Sequence, residues 1–394
     1  MTTQIGHGSF IGRIAINMGA GFVPGLNSVI MGSAMAASKV GWEMVGIRDG
    51  FDGLLHPEKY PSGGLVSLSP DQIENLDPAG AGILGQSARV DPFHVRTINE
   101  DEFVEEVDMS DRLLEAIEAE GIDALISVVG TRGLSILHKL NRKGLNTVCV
   151  PLSIENDIAA TAVSFGFNTT LSFTIEMLDK ARQAARAARK IAVVEVLGEQ
   201  SGWLALQAGI AVGADAVLIP EIPADLDMVA ARLKDKISPG RPYGLVVVAE
   251  GARFLNFKAN GNNVAPVGSL QAMLSPLATG VDSGHVIERS GEAAGTVASK
   301  LQMLIAEETF PLVLGAWARG GVPTAVDRQL GIAYGAGAIR AAVTGNYGVM
   351  TAFVPPDIDF VPLSDAINKV RTLPLDGEFV QIARSIGICL GREI

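Results

Sequence analysis

The sequence predicts an α/β protein with two Rossmann-like, doubly wound domains and mostly parallel sheets. Three observations carry this. Short apolar runs alternate with helical stretches along most of the 394 residues, the pattern of strand–helix–strand units. The 45 glycines fall largely where such units need tight turns between strand and helix. The length exceeds what one core of ordinary size serves, so two domains or more are expected.

The opening run Ile11–Asn17 reads as a buried strand. The glycine-rich loop Met18–Asn27 follows, with a helix through residues 28–40. Its loop amides, with Gly21 and Gly25, and the helix start can hold an anion, although many such loops merely close a turn. Glu43–Ile47 is a second strand. Residues 51–100 read as irregular, with glycines beside Arg89 in Gly82–Arg89. An amphipathic helix spans Asp108–Glu120, and a strand spans Asp123–Val129. Gly130, Thr131, Arg132 and Gly133 lead into a helix ending near Asn141.

The strand Asn146–Val150 ends at Pro151, and the densest chemistry follows. Ser153, Glu155, Asn156 and Asp157 fall within five residues, just past the carboxyl end of a strand, where open α/β sheets bind ligands. Glu155 can take a proton from a hydroxyl, and Glu155 or Asp157 can hold a metal. A plain structural alternative stands beside this: an acidic helix start with Ser153 as N-cap.

A helix over Phe173–Lys190 places Arg182, Arg186 and Arg189 on one face, which reads as a solvated face. Ile191–Leu197, Ala216–Ile219, Gly244–Glu250 and Leu312–Leu314 continue the strand pattern. Residues 255–280 read as an exposed insertion. The expected division is 1–167 plus about 318–368, and 168–317 plus about 369–394.

A net charge of −12 argues against a chain that coats nucleic acid or an anionic membrane. Two cysteines, Cys149 and Cys389, support neither a disulfide framework nor a zinc site, so a reducing, cytoplasmic setting is expected. No signal peptide and no apolar run of membrane-spanning length stand out.

The stretches P-L-S-I-E-N-D and G-F-N-T-T between Pro151 and Thr170 resemble the phosphofructokinase signature P-x-T-I-D-N-D and G-F-x-T-A. Further segments follow the family in order: 11–27, 41–54, 83–89, 128–133, 193–206, 213–221, 246–251, 313–323 and Asp327-Arg328. The resemblance implies the phosphofructokinase fold. It also implies phosphoryl transfer from ATP or pyrophosphate, with magnesium, to a sugar hydroxyl. On this pairing Glu155 stands at the catalytic base, with Asp157 beside it and Ser153 in place of a threonine near the transferring group. Asn156, Gly198, Glu250, Arg319 and Lys190 fall on the acceptor side. Gly21, Gly25, Arg89, Gly130, Arg132 and Gly133 fall on the donor side.

The departures are as specific as the matches. Arg132 stands where the family's magnesium-positioning aspartate is expected, and a guanidinium cannot ligate a cation. It can instead place a positive charge at the donor phosphate. Lys190, Phe310 and Ala316 stand at cationic positions that grip the acceptor's terminal phosphate. Losing two such contacts weakens fructose 6-phosphate by about 10²- to 10⁴-fold. The lysine of pyrophosphate users is Leu152, and the second donor-choosing position is Gly133. Three readings follow. One is a phosphotransferase with changed specificity, poor on fructose 6-phosphate. The second is a silent regulatory subunit binding an active paralogue. The third is an ordinary 6-phosphofructokinase. Family members are usually dimers or tetramers, so an oligomer is expected, with a small phosphate-bearing ligand and no nucleic-acid or membrane partner.

Overall fold

A computed structural model describes residues 12–19, 21, 23–80, 82–86, 91–98, 103–255, 291–305 and 307–392. Arg89 and nearly all of the expected insertion at 255–280 lie outside the described residues. In chain order the strands and principal helices are β1 Arg13–Met18, α1 Leu26–Lys39, β2 Glu43–Ile47, α2 Asp52–Leu55, β3 Leu65–Ser67, α3 Pro70–Glu74, β4 Val95–Ile98, β5 Val104–Val107, α4 Ser110–Ala119, β6 Ala124–Val129, α5 Thr131–Arg142 and β7 Thr147–Ser153. They continue with β8 Phe165–Gly166, α6 Phe167–Ala188, β9 Ile191–Val196, α7 Trp203–Val212, β10 Ala216–Leu218, α8 Leu226–Lys236, β11 Gly244–Ala249 and β12 Thr309–Val313. Helix Glu292–Ile305 precedes β12, and helix Ala325–Val343, β13 Val349–Val354, β14 Asp357–Pro362 and helix Glu378–Ser385 follow it. Among the described residues no helix is long and apolar enough to cross a membrane.

The chain divides into two compact units. The first comprises Met1–Gly21, Gly25–Leu152 and Arg328–Asn368. Its sheet runs β14-β13-β7-β6-β1-β2-β3. The five inner strands are parallel, with β3 and β14 antiparallel at the edges. Strand β6 is buried along its whole length, as a strand covered on both faces must be. Because β1 lies between β2 and β6, the strand order reverses there. Ligands bind outside the carboxyl ends of strands at such a reversal.

The second unit comprises Phe22–Pro24, Ser153–Asp327 and Lys369–Ile394. Its sheet is parallel, ordered β10-β11-β9-β12. Val193, Val246, Val248, Leu226, Val229, Val297 and Leu301 pack into one core between the sheet and two helices. Buried Glu195 in β9 accepts from the Gly291 and Ala294 amides at 2.6 and 2.8 Å, satisfying the start of helix Glu292–Ile305. A side chain thereby meets donors that a helix start leaves open.

Several expectations are corrected. Residues 51–100 contain short helices and strands rather than an irregular run. The strand expected to end at Pro151 continues to Ser153, and Pro151 pairs in register with Val129. Proline's fixed φ suits an extended chain where the ladder asks no N–H of it. Helix α6 starts at Phe167, and Arg189 leaves it in a left-handed conformation, φ 56°, so the expected arginine stripe ends at Arg186. No helix starts at Ser153. Asn156 turns the chain at φ 58°, which removes the N-cap reading.

Candidate active site

Three neighbouring parallel strands of the second unit, β11, β9 and β12, point their carboxyl ends the same way. Gly198 and Glu199 follow β9, Glu250 follows β11, and Arg319 follows β12 at the end of a short 3-10 turn, Gly315–Arg319. Parallel register therefore gathers residues far apart in the chain at one edge of one sheet. Gly198 takes φ 143°, accessible chiefly to glycine. Its N–H donates to Glu250 Oε1 at 3.2 Å. Gly251 leaves no room for a side chain, because an added Cβ would lie 1.9 Å from the Glu199 carbonyl oxygen.

Glu155 joins this edge. Its Oε2 accepts from the Glu199 N–H at 3.2 Å. Ser153 Oγ donates to Asp157 Oδ1 at 2.5 Å and accepts from the Glu155 N–H at 3.1 Å, closing a tight turn. Desolvation of the carboxyl, then the negative charges of Asp157 and Glu250, push the Glu155 pKa from 4.5 up to about 8. The Glu199 amide and the Arg319 charge oppose the rise without cancelling it. Desolvation likewise raises Glu250, against the Gly198 N–H. A carboxyl titrating near the working pH is suited to moving a proton. Arg319 Nε is buried and, among the described residues, has no hydrogen-bond partner. A donor left open in this way suits a ligand anion.

The other residues expected on the acceptor side sit differently. Asn156 is buried, and its Oδ1 accepts from the Ser164 N–H at 2.9 Å, so its amide stabilises the loop. Lys190 forms a 2.5 Å ion pair with Glu308. Phe310 lies in β12, an edge strand, and Ala316 is exposed.

The described residues expected on the donor side belong to the first unit. Gly21 and Gly25 take φ 104° and 87° in the loop after β1. Gly130 starts α5 after β6, the neighbouring parallel strand, and the Gly19 N–H donates to the Val128 carbonyl at 2.8 Å. Both loops thus leave the sheet at its order reversal. The first turn of α5 carries no acid, and Arg132 in it is exposed. Open amides, a positive helix end and a guanidinium suit a phosphate. Gly133 is fixed by packing, since an added Cβ would lie 2.4 Å from Val129 Cβ.

Among the described residues no group of three or more His, Cys, Asp or Glu is placed to hold a metal ion.

Two features escaped the sequence. The Glu199 N–H is a backbone contact, invisible in residue type. Arg371, described below, lies more than 200 positions beyond the turn it touches and carries no motif.

The phosphofructokinase family profile matches residues 13–342. An ATP-dependent 6-phosphofructokinase of Chloroflexus aurantiacus is 36% identical over 382 residues, covering 97% of this chain and 98% of that one. ATP-dependent 6-phosphofructokinase 3 of Streptomyces coelicolor is 35% identical, covering 92% and 96%. Among solved structures, the pyrophosphate-dependent phosphofructokinase of Marinobacter aquaeolei superposes with a TM-score of 0.70 at 18% identity, covering 96% of this chain and 88% of that one. At that identity the structural likeness speaks for the fold alone. Profile, full-length relatives and fold agree: the chain belongs to the phosphofructokinase family.

Proposed function

We propose that the chain is a phosphotransferase that moves the γ-phosphoryl group of ATP to a hydroxyl of a sugar-like acceptor lacking the usual terminal phosphate. The observation that carries this is Glu155, a desolvated carboxyl raised to about 8 and aligned with Glu250 and Arg319 at one sheet edge.

In this reading Glu155 as carboxylate takes the acceptor hydroxyl proton while that oxygen bonds to the γ-phosphorus. The bond from phosphorus to the ADP oxygen breaks, and the proton later passes from Glu155 to solvent. Glu250 orients the acceptor by accepting a hydrogen bond. Arg319 meets the charge on the transferring group. In the first unit by itself, the first turn of α5, with Arg132, suits a donor phosphate. Magnesium, where required, arrives with ATP as part of the substrate.

ATP is favoured over pyrophosphate by Leu152 and Gly133, and by full-length relatives named as ATP-dependent. The acceptor follows from Lys190, already paired with Glu308, and from apolar Phe310 and Ala316 at the other cationic positions. On this reading, these changes are what distinguish the chain from an ordinary 6-phosphofructokinase.

The test is a phosphoryl-transfer panel with labelled ATP and fructose, fructose 6-phosphate, glucose, sorbitol and nucleosides, with and without Mg²⁺. Transfer to an unphosphorylated polyol, reduced at least 100-fold in Glu155→Gln, is the expected result. Absence of both transfer and ATP binding at millimolar concentration would establish the silent subunit instead. Turnover of fructose 6-phosphate above every other acceptor would overturn the acceptor assignment.

A further inference from the structure

The Asn156–Ile158 turn is held from outside by residues 370–373. Ile158 and Val370 form an antiparallel bridge. The Arg371 N–H donates to the Asp157 carbonyl at 2.7 Å, and Arg371 Nη1 donates to the Asn156 carbonyl at 3.2 Å. The guanidinium lies 4.0 Å from the centroid of the Trp203 ring. Trp203 Nε1 returns a hydrogen bond to the Arg371 carbonyl at 3.0 Å. Phe379 meets Trp203 edge-on, with centroids 6.0 Å apart. Glu221 Oε1 accepts from the amides of Leu373 at 2.9 Å and Gly202 at 3.0 Å, tying the same strip to the start of α7.

The arrangement matters because of what it holds. Asn156 sits in the left-handed region, which a non-glycine residue keeps only where its surroundings fix it. Its carbonyl and that of Asp157 both accept from Arg371, and Glu155 is the adjacent residue. Only a planar, delocalised cation can stack on an indole and donate sideways to a carbonyl at once. A lysine retains the charge but not this geometry.

We infer that Arg371 is a positioning residue: its guanidinium, stacked on the Trp203 ring, donates to the Asn156 carbonyl while its backbone N–H holds the Asp157 carbonyl, and so fixes where Glu155 presents its carboxylate. The inference rests on the proposed role of Glu155. It adds a determinant of activity from residues 370–373, which lie outside the segments of motif resemblance.

The experiment uses the full chain, with Arg371→Met, Arg371→Lys, Glu155→Gln and the Arg371→Met/Glu155→Gln double variant. ATP is paired with whichever acceptor of the panel above turns over fastest. Misplacing the base by about 1 Å lowers kcat about 100-fold, so Arg371→Met is expected to lose that much while its KM for ATP stays within about threefold. Arg371→Lys recovers less than about a tenth of the lost rate, because charge alone is not the requirement. In the Glu155→Gln background, Arg371→Met costs less than about threefold more, since two residues acting through one step are non-additive.

Hydrogen–deuterium exchange supplies the readout that needs no turnover. Peptides covering 154–164 exchange at least about tenfold faster in Arg371→Met, while those of β9 and β11 are unchanged. Unchanged exchange at 154–164 overturns the clamp. Faster exchange with wild-type kcat, or an equal loss in the Glu155→Gln background, overturns the positioning role. Should Arg371→Met fail to fold, Arg371→Lys carries the same comparisons. A wild-type chain without any transfer refutes the proposed function, and exchange then decides the clamp by itself.

Discussion

Replacing Glu155 by glutamine changes how stability depends on pH, and the structure sets the size of the change. The carboxyl titrates near 4.5 when ordinarily solvated and at about 8 in the fold. Between those values the folded chain binds one more proton than the unfolded chain. Wild-type stability therefore falls as pH rises, by about 1.4 kcal/mol per pH unit, and levels off above about 8. Glutamine has no proton to lose but can still accept the Glu199 N–H. The raised Glu250 titrates in both proteins, and only its repulsion with Glu155 differs between them. From pH 6 to pH 8 the stability of Glu155→Gln relative to wild type should rise by about 2.7 kcal/mol at most. Solvent reaches part of the residue and screens the effect, which brings the expectation to about 2 kcal/mol. Urea unfolding of both proteins in half-unit steps from pH 5.5 to 9, followed by circular dichroism and tryptophan emission, measures it. Two curves that stay parallel to within about 0.5 kcal/mol across pH 6–8 would mean that the carboxylate is ionised throughout, and the argument for Glu155 as a tuned base would fall.

The same titration appears in catalysis. Since the base must be deprotonated, kcat/KM should rise about tenfold per pH unit below about 8 and flatten above it; a flat profile from pH 6 to 9 speaks against Glu155. The double variant Phe310→Arg/Ala316→His should raise kcat/KM for fructose 6-phosphate at least about tenfold, by restoring charged contacts to a terminal phosphate; steady-state kinetics with and without that phosphate decide it. Gly133→Ala places a Cβ 2.4 Å from Val129 Cβ, so it should cost about 1–3 kcal/mol, read as a shift in unfolding midpoint; a stability equal to wild type would mean that α5 yields at no cost. Glu195→Ala removes the acceptor for the Gly291 and Ala294 amides and should cost about 1–3 kcal/mol, whereas Glu195→Gln should lose less.

The sequence by itself determined the α/β class and most strand positions, because apolar runs bounded by glycines have few other ways to fold. Val193–Val196 and Val246–Val248 are legible as buried strands before any coordinates. It also marked Glu155, Glu250 and Arg319, through the residue types that motifs preserve. Only the tertiary structure decided that β9 lies between β11 and β12, which brings residues 198, 250 and 319 to one edge. Strand order is set by long-range pairing and cannot be read from local pattern. A helix start at Ser153 stood as an alternative because Ser153 and the acids suit both; a carbonyl taken by Arg371 and an amide bonded to Ser164 selected the turn. The Glu155 pKa likewise belongs to the fold. It arises from desolvation and from charges at positions 157 and 250, and none of these acts on an unfolded chain.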